Sequence, residues 1–383
     1  MKHILRPFFF VGYTIAAIAL VLFSYTQVDL NLTLSRSSIY QTVEKEFQHV
    51  GYYERPLATA LYAGVLLLLF GMYSMLLSAV RKNALGLKEI WTLIFIVTGI
   101  IVFSYPAAFS YDFFNYMFTA KTVLLYHQNP YVVTPLQFAG IDPWTNFMRW
   151  THLTTAYAPL WIGMTLVPYL LGFGYFLIIL FNLKFMVAGF FLLTAWALSR
   201  CVDKLDHPHA ALALTIFALN PLILVESLVS GHNDVVLTAF AMLAILAYFT
   251  KTYWSAWLWL AFSVAAKTIT LVLIPVMLLR RNTRWMLWAI VAGLGLVLLK
   301  REFLPWYWVW VMPFIALLPK ETKLTRFATI VSLGLLVSYA PYLYFGDYGV
   351  TEQLWKTWSI WAGVAIGGLS FLMPASVPRA RGR

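Results

Sequence analysis

The chain has 383 residues, of which 61% are hydrophobic and only 11% are charged, and its mean hydropathy is +0.77. A soluble protein of this size could not hydrate such a surface, so the composition excludes soluble enzymes and binding modules and predicts a membrane protein that crosses the bilayer several times. The basic residues behind the net charge of +12 are therefore counted separately in each loop, and the charge does not indicate nucleic-acid binding.

Apolar runs long enough to span a membrane recur along the whole chain, since a spanning helix needs about 20 residues. They lie near 8–26, 57–80, 90–110, 175–198, 210–229, 234–250, 284–299, 306–319, 327–345 and 355–373. A shorter pair, 254–266 and 268–280, is split by Lys267. The run 158–171 ends at Gly172, and we expect it to dip into the membrane without crossing. The pattern predicts an all-α protein with about twelve transmembrane helices.

The distribution of lysine and arginine supports one topology. These residues concentrate in cytoplasmic loops, and with both termini inside all six clusters can face the cytoplasm: Lys2/Arg6, Arg81/Lys82/Lys88, Arg200/Lys204, Arg280/Arg281/Arg284, Lys320/Lys323/Arg326 and Arg379/Arg381/Arg383. If 158–171 crosses the membrane instead, Arg200 and Lys204 fall outside, so we prefer the first topology. We predict a multi-pass protein of the cell membrane.

The most polar excursion, 111–156, is predicted to be a structured loop on the extracytoplasmic side. It opens with a helix that has one polar and one apolar face, as expected for a helix lying along the membrane interface. The polar face comprises Asp112, Asn115, Tyr116 and Thr119, and the apolar face Phe113, Phe114, Met117 and Phe118. A carboxylate at the edge of the hydrocarbon is costly to keep without a use, and it can serve as a general base. The alternative is that Asp112 only caps the helix.

Four further ionisable sites interrupt or border apolar runs. A lysine at the bilayer centre costs about 2.5–3.5 kcal/mol on insertion scales, which applies to Lys184 and Lys267. A phosphate is a suitable partner for Lys267. Arg301 is predicted on the extracytoplasmic side, although basic residues favour the cytoplasmic side, and it could bind a phosphate too. For Lys184 the alternative is snorkelling to the interface. For His232-Asn233-Asp234 the alternative is a turn histidine followed by a favourable charge at a helix start.

No motif for nucleotide binding is present. The sequence lacks a Walker A loop, a Rossmann glycine pattern and a Gly-x-Ser-x-Gly motif, and it contains no His-x-x-x-His pair for zinc. No loop predicted to be cytoplasmic is long enough for a nucleotide-binding domain. Energy for a reaction would have to come from a membrane-borne substrate or a gradient, and we expect no cofactor.

In the order and spacing of its motifs, the chain resembles the GT-C superfamily of integral membrane glycosyltransferases, especially the bacterial members that use polyprenyl-phosphate-mannose. The motifs are 110–131, Tyr157-Ala158-Pro159-Leu160-Trp161, Asn220-Pro221-Leu222, Gly231-His232-Asn233-Asp234, the Lys267 segment and Pro305-Trp306-Tyr307.

The resemblance implies an outward-facing acid as catalytic base, which falls on Asp112, and a lipid-phosphate sugar as donor. It makes Lys267, His232 and Arg301 candidates for the donor phosphate, and we add Lys184. Further candidates for substrate binding are Tyr116, Asn233, Asp234, Tyr131, Trp306 and Tyr307.

One feature departs from the pattern of the superfamily, whose members commonly place the acid after the first span. Here the runs near 8–26, 57–80 and 90–110 and the 27–55 loop come first, so Asp29, Glu44 and Glu46 are rival acids. Asp112 also lacks a second adjacent acid, which argues against a required divalent metal.

The sequence therefore predicts one transmembrane glycosyltransferase domain over 1–383, with 111–156 as its catalytic loop. It would transfer a hexose, with mannose as first choice, from a polyprenyl-phosphate donor to an extracytoplasmic glycan, lipid or protein, with inversion and without any nucleic-acid partner.

Two alternatives stay open. A transporter or flippase would often show a hydropathy repeat, which is not evident here, and it gives the long outer loop no role. A ligase that moves a whole glycan from a pyrophosphate lipid should have a larger, arginine-rich outer loop, whereas only Arg149 stands there.

Overall fold

The computed structural model describes residues 2–373, without the side chains of residues 2–4, 206 and 207. The C-terminal cluster Arg379/Arg381/Arg383 and the side chain of Lys2 thus lie outside the described residues. The structure is 75% helical, and no strand occurs in the described part of the chain. The all-α class predicted from the sequence is confirmed.

Seventeen α-helices, some of them very short, follow one another in the described residues. They are α1 (Lys2–Tyr25), α2 (Ser38–Tyr52), α3 (Arg55–Arg81), α4 (Leu87–Ile101), α5 (Asp112–Leu124), α6 (Pro159–Leu170), α7 (Phe176–Asp206), α8 (Ala210–Ala218), α9 (Pro221–Ile223), α10 (Asp234–Phe249), α11 (Tyr253–Ala266), α12 (Leu273–Leu278), α13 (Thr283–Leu298), α14 (Trp308–Ala316), α15 (Thr322–Val337), α16 (Ala340–Phe345) and α17 (Val350–Leu369). A π-helix, Leu224–Val229, continues α9. Single 3-10 turns are Pro106–Ala108, Pro135–Phe138, Pro143–Asn146, His207–His209, Thr268–Val272 and Pro305–Tyr307.

Four helical segments of the described chain are long and apolar enough to cross a membrane. They are Leu5–Tyr25, Arg55–Arg81, Phe176–Leu205 and Thr322–Phe345. Ala210–Ala218 and Pro221–Val229 pass the same test together but are bent by 54°, which makes up to five spans if the bent pair counts as one. Several apolar helices thus indicate a membrane protein, and the twelve crossings stay a prediction.

The breaks expected from the sequence occur where polar or glycine residues interrupt apolar runs. Lys267 has extended backbone (φ −155°, ψ 134°) between α11 and the turn Thr268–Val272. Gly174 takes a φ of 80° between α6 and α7, a conformation that glycine adopts without strain. Both breaks are confirmed. Whether α6 crosses the membrane is not decided by its 12 residues.

The segment predicted as one span near 90–110 is shorter than expected. Helix α4 ends at Ile101, and the turn Pro106–Ala108 leads the chain into α5. Proline lacks the N–H needed to continue an α-helix, which favours this interruption. The apolar face of α5 also differs from the expectation of a helix on the lipid surface, because Phe113 and Phe118 are 0% and 1% exposed within the protein core.

A buried ion pair joins the part of the 111–156 loop that follows α5 to that helix. The Lys121 Nζ atom lies 2.6 Å from Asp142 Oδ2, and the Tyr126 hydroxyl donates a hydrogen bond of 2.8 Å to the same oxygen. The Lys121 ammonium also lies 3.9 Å from the centre of the Trp144 ring. Because these contacts satisfy a lysine and a carboxylate that are both buried, the loop is held as a structured unit.

The centre of the helical bundle lies around α10. This helix packs mainly against α7 and α11 and also contacts α14, and every residue of α14 is buried. Its first residue, Asp234, therefore points a carboxylate into the interior of the protein, with 0% exposure of the residue. A buried carboxylate at this position needs partners, and they define the site described below.

Close packing of two glycines provides a test of the fold. A Cβ atom at Gly334 in α15 would lie 2.8 Å from Cα of Gly363 in α17 and 2.9 Å from the carbonyl oxygen of Ser359. Gly334→Ala should therefore force the two helices apart and lower the melting temperature of the purified protein, at a cost of about 1–3 kcal/mol. Gly368→Ala is the control, since an added Cβ there meets nothing within 4 Å. Equal melting temperatures for both variants would contradict this packing.

Candidate active site

An open cavity of about 1550 Å³ brings together six separate parts of the chain. These are the polar face of α5, the loop before α6, the turn before α10, the break at Lys267, the segment from 297 to 310 and the segment from 338 to 356. All predicted site residues except Lys184 line it, namely Asp112, Tyr116, Tyr131, His232, Asn233, Asp234, Lys267, Arg301, Trp306 and Tyr307. We call this space the active-site cavity.

Asp112 is the first residue of α5, and its side chain is 22% exposed at the cavity wall. It does not occupy the N-cap position, which is held by Tyr111. Burial raises the pKa of the Asp112 carboxyl to about 6, opposed by the positive charge of Lys267 and assisted by the negative charge of Asp234. Asp112 is thus mainly ionised at neutral pH but is a stronger base than an ordinary aspartate.

His232 lies between two carboxylates. Its Nδ1 atom is 3.8 Å from Asp112 Oδ2, and its Nε2 atom is 3.3 Å from Glu226 Oε2. The imidazole is 1% exposed and stacks on Trp306 with 4.3 Å between ring centres. Burial, and then the charge of Lys267, lowers the pKa of His232 well below its ordinary value. The ring is therefore neutral at neutral pH, with one nitrogen that donates and one that accepts.

Asp112, His232 and Glu226 form a row of neighbouring side chains, and Glu226, which is fully buried, lies at the end away from the cavity. The Tyr339 hydroxyl donates a hydrogen bond of 2.9 Å to Glu226 Oε1. Glu226 is not predicted at the site from the sequence, because helical spacing does not bring it to His232. The π-helix Leu224–Val229 and Gly231, with a φ of 65°, produce that approach.

Gly231 is required at its position. A Cβ there would lie 2.6 Å from the Phe113 ring, and its positive φ disfavours other residues. The turn before α10 is consequently pressed against α5, and this contact sets the separation between His232 and Asp112.

Lys267 and Asp234 form the second charged pair of the cavity. Lys267 Nζ lies 2.6 Å from Asp234 Oδ1, and the Trp310 indole N–H donates to the same oxygen. The Asp234 side chain is 1% exposed and that of Lys267 is 29% exposed. Asp234 thus holds the ammonium group at the cavity wall with part of its surface open to a ligand. Arg301 also lines the cavity, beside the Tyr307 hydroxyl.

Lys184 lies outside the active-site cavity. Its ammonium donates hydrogen bonds of 2.9 Å to Ser104 Oγ and to the carbonyl oxygen of Val229, and another to the carbonyl of Leu228. The residue is 2% exposed and does not line the cavity. It neither snorkels to a membrane surface nor reaches a ligand in the cavity. It links α7 to the end of the π-helix that carries Glu226.

The rival acids of the 27–55 loop do not line the active-site cavity. Asp29 accepts the N–H of Asn31 at 2.9 Å and the Tyr111 hydroxyl at 3.4 Å. Glu44 is also buried away from the cavity, and Glu46 is exposed. The carboxylates that do line it, besides Asp112 and Asp234, are Glu302 and Glu352.

Other residues that line the cavity were not predicted. Tyr339, Tyr342, Tyr348, Glu352 and Lys356 come from the last part of the chain, beyond the 110–310 segment that carries the motifs. Their types and spacing give no sequence signal for a site. Trp310, which no sequence feature distinguished from the other tryptophans, donates to Asp234.

In the described residues, no group of three or more His, Cys, Asp or Glu side chains is arranged to hold a metal ion. The expectation that the protein needs no cofactor stays a prediction.

Residues 11–283 match the family model of the MptA_B family, described as alpha-(1->6)-mannopyranosyltransferase, N-terminal domain. The chain belongs to this family. Membership confirms the resemblance to mannosyltransferases, is consistent with a GT-C enzyme, and makes the chain a glycosyltransferase that transfers mannosyl groups. No curated protein and no solved structure matches the chain. The matched part includes Asp112, Glu226, His232, Asp234 and Lys267.

The ion pair at the cavity wall yields a stability test. Asp234→Asn leaves the Lys267 ammonium without its counter-charge and should destabilise the fold by about 3 kcal/mol, because breaking a largely buried pair strands one charge. Adding Lys267→Met removes that charge as well, so the double variant should lose less than the sum of the two single variants. Thermal unfolding of the three purified variants measures this coupling. Strictly additive losses would show that the pair is not coupled.

Proposed function

We propose that this mannosyltransferase takes its mannosyl group from a polyprenyl-monophosphate donor and transfers it, with inversion, to a hydroxyl of a glycan, lipid or protein on the extracytoplasmic side. The observation that carries the proposal is the joint presence of Asp112, Lys267 and Arg301 in one cavity. Such a cavity offers a base for the acceptor and cations for a phosphate leaving group. The absence of nucleotide-binding motifs from the sequence agrees with a lipid-linked donor.

Asp112 is proposed as the general base. Its carboxylate takes the proton of the acceptor hydroxyl as the hydroxyl oxygen forms a bond to the anomeric carbon. The bond between that carbon and the phosphate oxygen breaks, and its electron pair leaves with the polyprenyl phosphate. A single displacement of this kind inverts the anomeric configuration. The pKa of about 6 keeps Asp112 ionised at neutral pH.

Lys267 and Arg301 are proposed to bind the donor phosphate. Charge on the phosphate oxygens grows as the glycosidic bond breaks, and fixed cations lower the barrier because they need no reorganisation at that moment. The contact with Asp234 fixes the Lys267 ammonium in place. The wall position of Arg301 is compatible with a bidentate contact to phosphate. Lys184 has no part in this proposal, since its donors are used within the protein.

His232 is better suited to positioning the base than to binding phosphate, because its ring is neutral and buried between Asp112 and Glu226. We assign it to holding the Asp112 carboxylate. Its Nδ1 atom faces Asp112 at 3.8 Å while its Nε2 atom faces Glu226 at 3.3 Å. The longer separation must shorten for a hydrogen bond, as is common for catalytic contacts in unliganded enzymes. Protonated Asp112, whose side chain is 22% exposed, gives its proton to water in the open cavity, and this restores the ionised base for another turnover.

The remaining predicted residues are assigned to substrate binding. Asn233 and Asp234 lie at the start of α10, and Trp306, Tyr307, Tyr116 and Tyr131 give the cavity aromatic and hydroxyl surface. Aromatic faces and hydroxyl groups are well suited to bind a sugar ring and the first part of a prenyl chain. The proposal also retains a single domain over 1–383, about twelve crossings with both termini cytoplasmic, and no cofactor.

Replacement of the base tests the reaction directly. With radiolabelled polyprenyl-phosphate-mannose and an alkyl mannoside acceptor in proteoliposomes, Asp112→Asn should slow product formation by about 10²–10⁴-fold. Asp29→Asn is the matched control, since Asp29 is a buried acid that does not line the cavity. Both variants should keep the wild-type melting temperature within a few degrees. Turnover that survives in Asp112→Asn but falls in Asp29→Asn would move the base to the 27–55 loop.

The pH dependence tests the base. Because Asp112 acts in its ionised form and its pKa is raised to about 6, the transfer rate should be full above pH 7 and fall as the pH drops through 6. Glu226→Gln keeps a partner for the Tyr339 hydroxyl but replaces the carboxyl group that faces His232. If Glu226 positions His232 against Asp112, this variant should lower kcat without raising the KM for the donor. An unchanged kcat would exclude Glu226 from that role.

A further inference from the structure

A second cavity, of about 1450 Å³, lies at the opposite end of α15 from the active-site cavity. Arg326 near the start of α15 lines the second cavity, and Ser338, just past its end, lines the first. At 1.5 Å per residue these positions are about 18 Å apart. No described residue lines both cavities. We call the second space the basic cavity, because cations from several helices converge on it.

Three of the lysine and arginine clusters that the sequence analysis assigned to separate loops meet here. The basic side chains that line this cavity are Arg6, Arg81, Lys82, Lys320 and Arg326, together with His209. Among the described lining residues the only acid is Glu89, and its carboxylate is already bonded to Arg6. The cavity thus carries a clear excess of positive charge, which favours an anionic occupant.

Two helix faces supply hydroxyl groups beside these cations. On α3, Ser74, Ser78 and Arg81 are spaced at i, i+4 and i+7, so they share one face. On α15, Thr322, Arg326 and Thr329 are spaced in the same way and line the same cavity. Guanidinium and hydroxyl groups are the donors that recognise phosphate oxygens. A purely electrostatic surface would not require the hydroxyl groups to align with the arginines.

The two arginines lack carboxylate partners within the described residues. Arg81 and Arg326 are close enough to repel one another electrostatically, and no described carboxylate lies within 4 Å of either. Within the described residues, Arg326 donates only a 3.3 Å hydrogen bond to the carbonyl oxygen of Ser370. An anion between the two guanidinium groups would remove their repulsion and satisfy donors that have no partner in the described part of the chain.

We propose that the basic cavity binds a phosphate group between Arg81 and Arg326, with a hydroxyl donor from Ser78. The phosphate is carried either by an anionic lipid headgroup or by a small soluble phosphate. This site lies at the end of the molecule remote from Asp112 and takes no part in the transfer chemistry. The proposal therefore does not depend on the identity of the sugar donor.

Binding measurements on the purified full-length protein test the site. One arm titrates phosphatidylglycerol into the protein in neutral detergent and counts bound lipid by native mass spectrometry. A second arm titrates inorganic phosphate and pyrophosphate by calorimetry. The wild type should bind at least one of these probes saturably at one site, and Arg81→Gln/Arg326→Gln should weaken that binding about tenfold or more, as expected for the loss of charge-assisted hydrogen bonds.

The matched control is Lys88→Gln/Arg200→Gln, which removes two exposed basic residues that do not line the cavity. It should bind like the wild type. Binding of lipid alone assigns the site to a headgroup, and binding of phosphate or pyrophosphate that competes with lipid assigns it to phosphate itself. If the double variant does not fold, Arg81→Lys replaces it and should weaken binding because the bidentate contact is lost. Failure of every probe to bind the wild type, or equal loss in the control, would overturn the proposal.

Discussion

The ion pair between Lys267 and Asp234 is the interaction on which the arrangement of the active-site cavity depends. Each partner lies where a helix starts or stops, because α11 ends just before Lys267 and α10 begins at Asp234. A charge buried in an apolar bundle is costly unless it is paired. The 2.6 Å contact therefore ties the two helix ends together. It also sets the electrostatics of the cavity, since Lys267 lowers and Asp234 raises the pKa of Asp112.

Irregular backbone is concentrated around this pair. The extended residue Lys267, the π-helix before Gly231 and the turn at Pro106–Ala108 all interrupt apolar helices close to the cavity. Non-helical backbone in a membrane protein is tolerated where it is buried in protein or lines a polar space. These interruptions let side chains from distant parts of the sequence reach one another, as with Glu226, His232 and Asp112.

The two cavities differ in how their charged side chains are arranged. In the active-site cavity, Lys267 is paired with Asp234, and the neutral ring of His232 separates Asp112 from the buried Glu226 behind the cavity wall. This arrangement adjusts the proton affinity of Asp112 while it leaves a cation available to a ligand. In the basic cavity the cations exceed the acids, and Arg81 and Arg326 repel one another. The first arrangement is suited to proton transfer beside a phosphate, and the second to anion binding without chemistry.

Local features of the sequence predicted most of the fold and of the candidate site. Long apolar runs require helices, because backbone polar groups in lipid must be satisfied within the segment. Polar groups inside or beside such runs are costly, which is why Asp112, His232 and Lys267 could be singled out before their positions in space were known. The polar face of α5 followed from helical periodicity, and that face lines the cavity.

Tertiary structure alone decided which charges meet. Lys184 and Lys267 interrupt apolar runs in the same way in the sequence, yet Lys184 is turned to backbone carbonyls and Lys267 to the cavity. Glu226 contacts His232 through a π-helix that no apolar periodicity reveals. Arg81 and Arg326 are 245 positions apart and share a cavity only because the end of α3 and the start of α15 lie on the same side of the bundle. The sequence by itself determined most of the helices, the breaks at Lys267 and Gly174 and the costly polar groups, since these depend on local energetics. The pairing of those groups depends on packing between helices, which long-range contacts set.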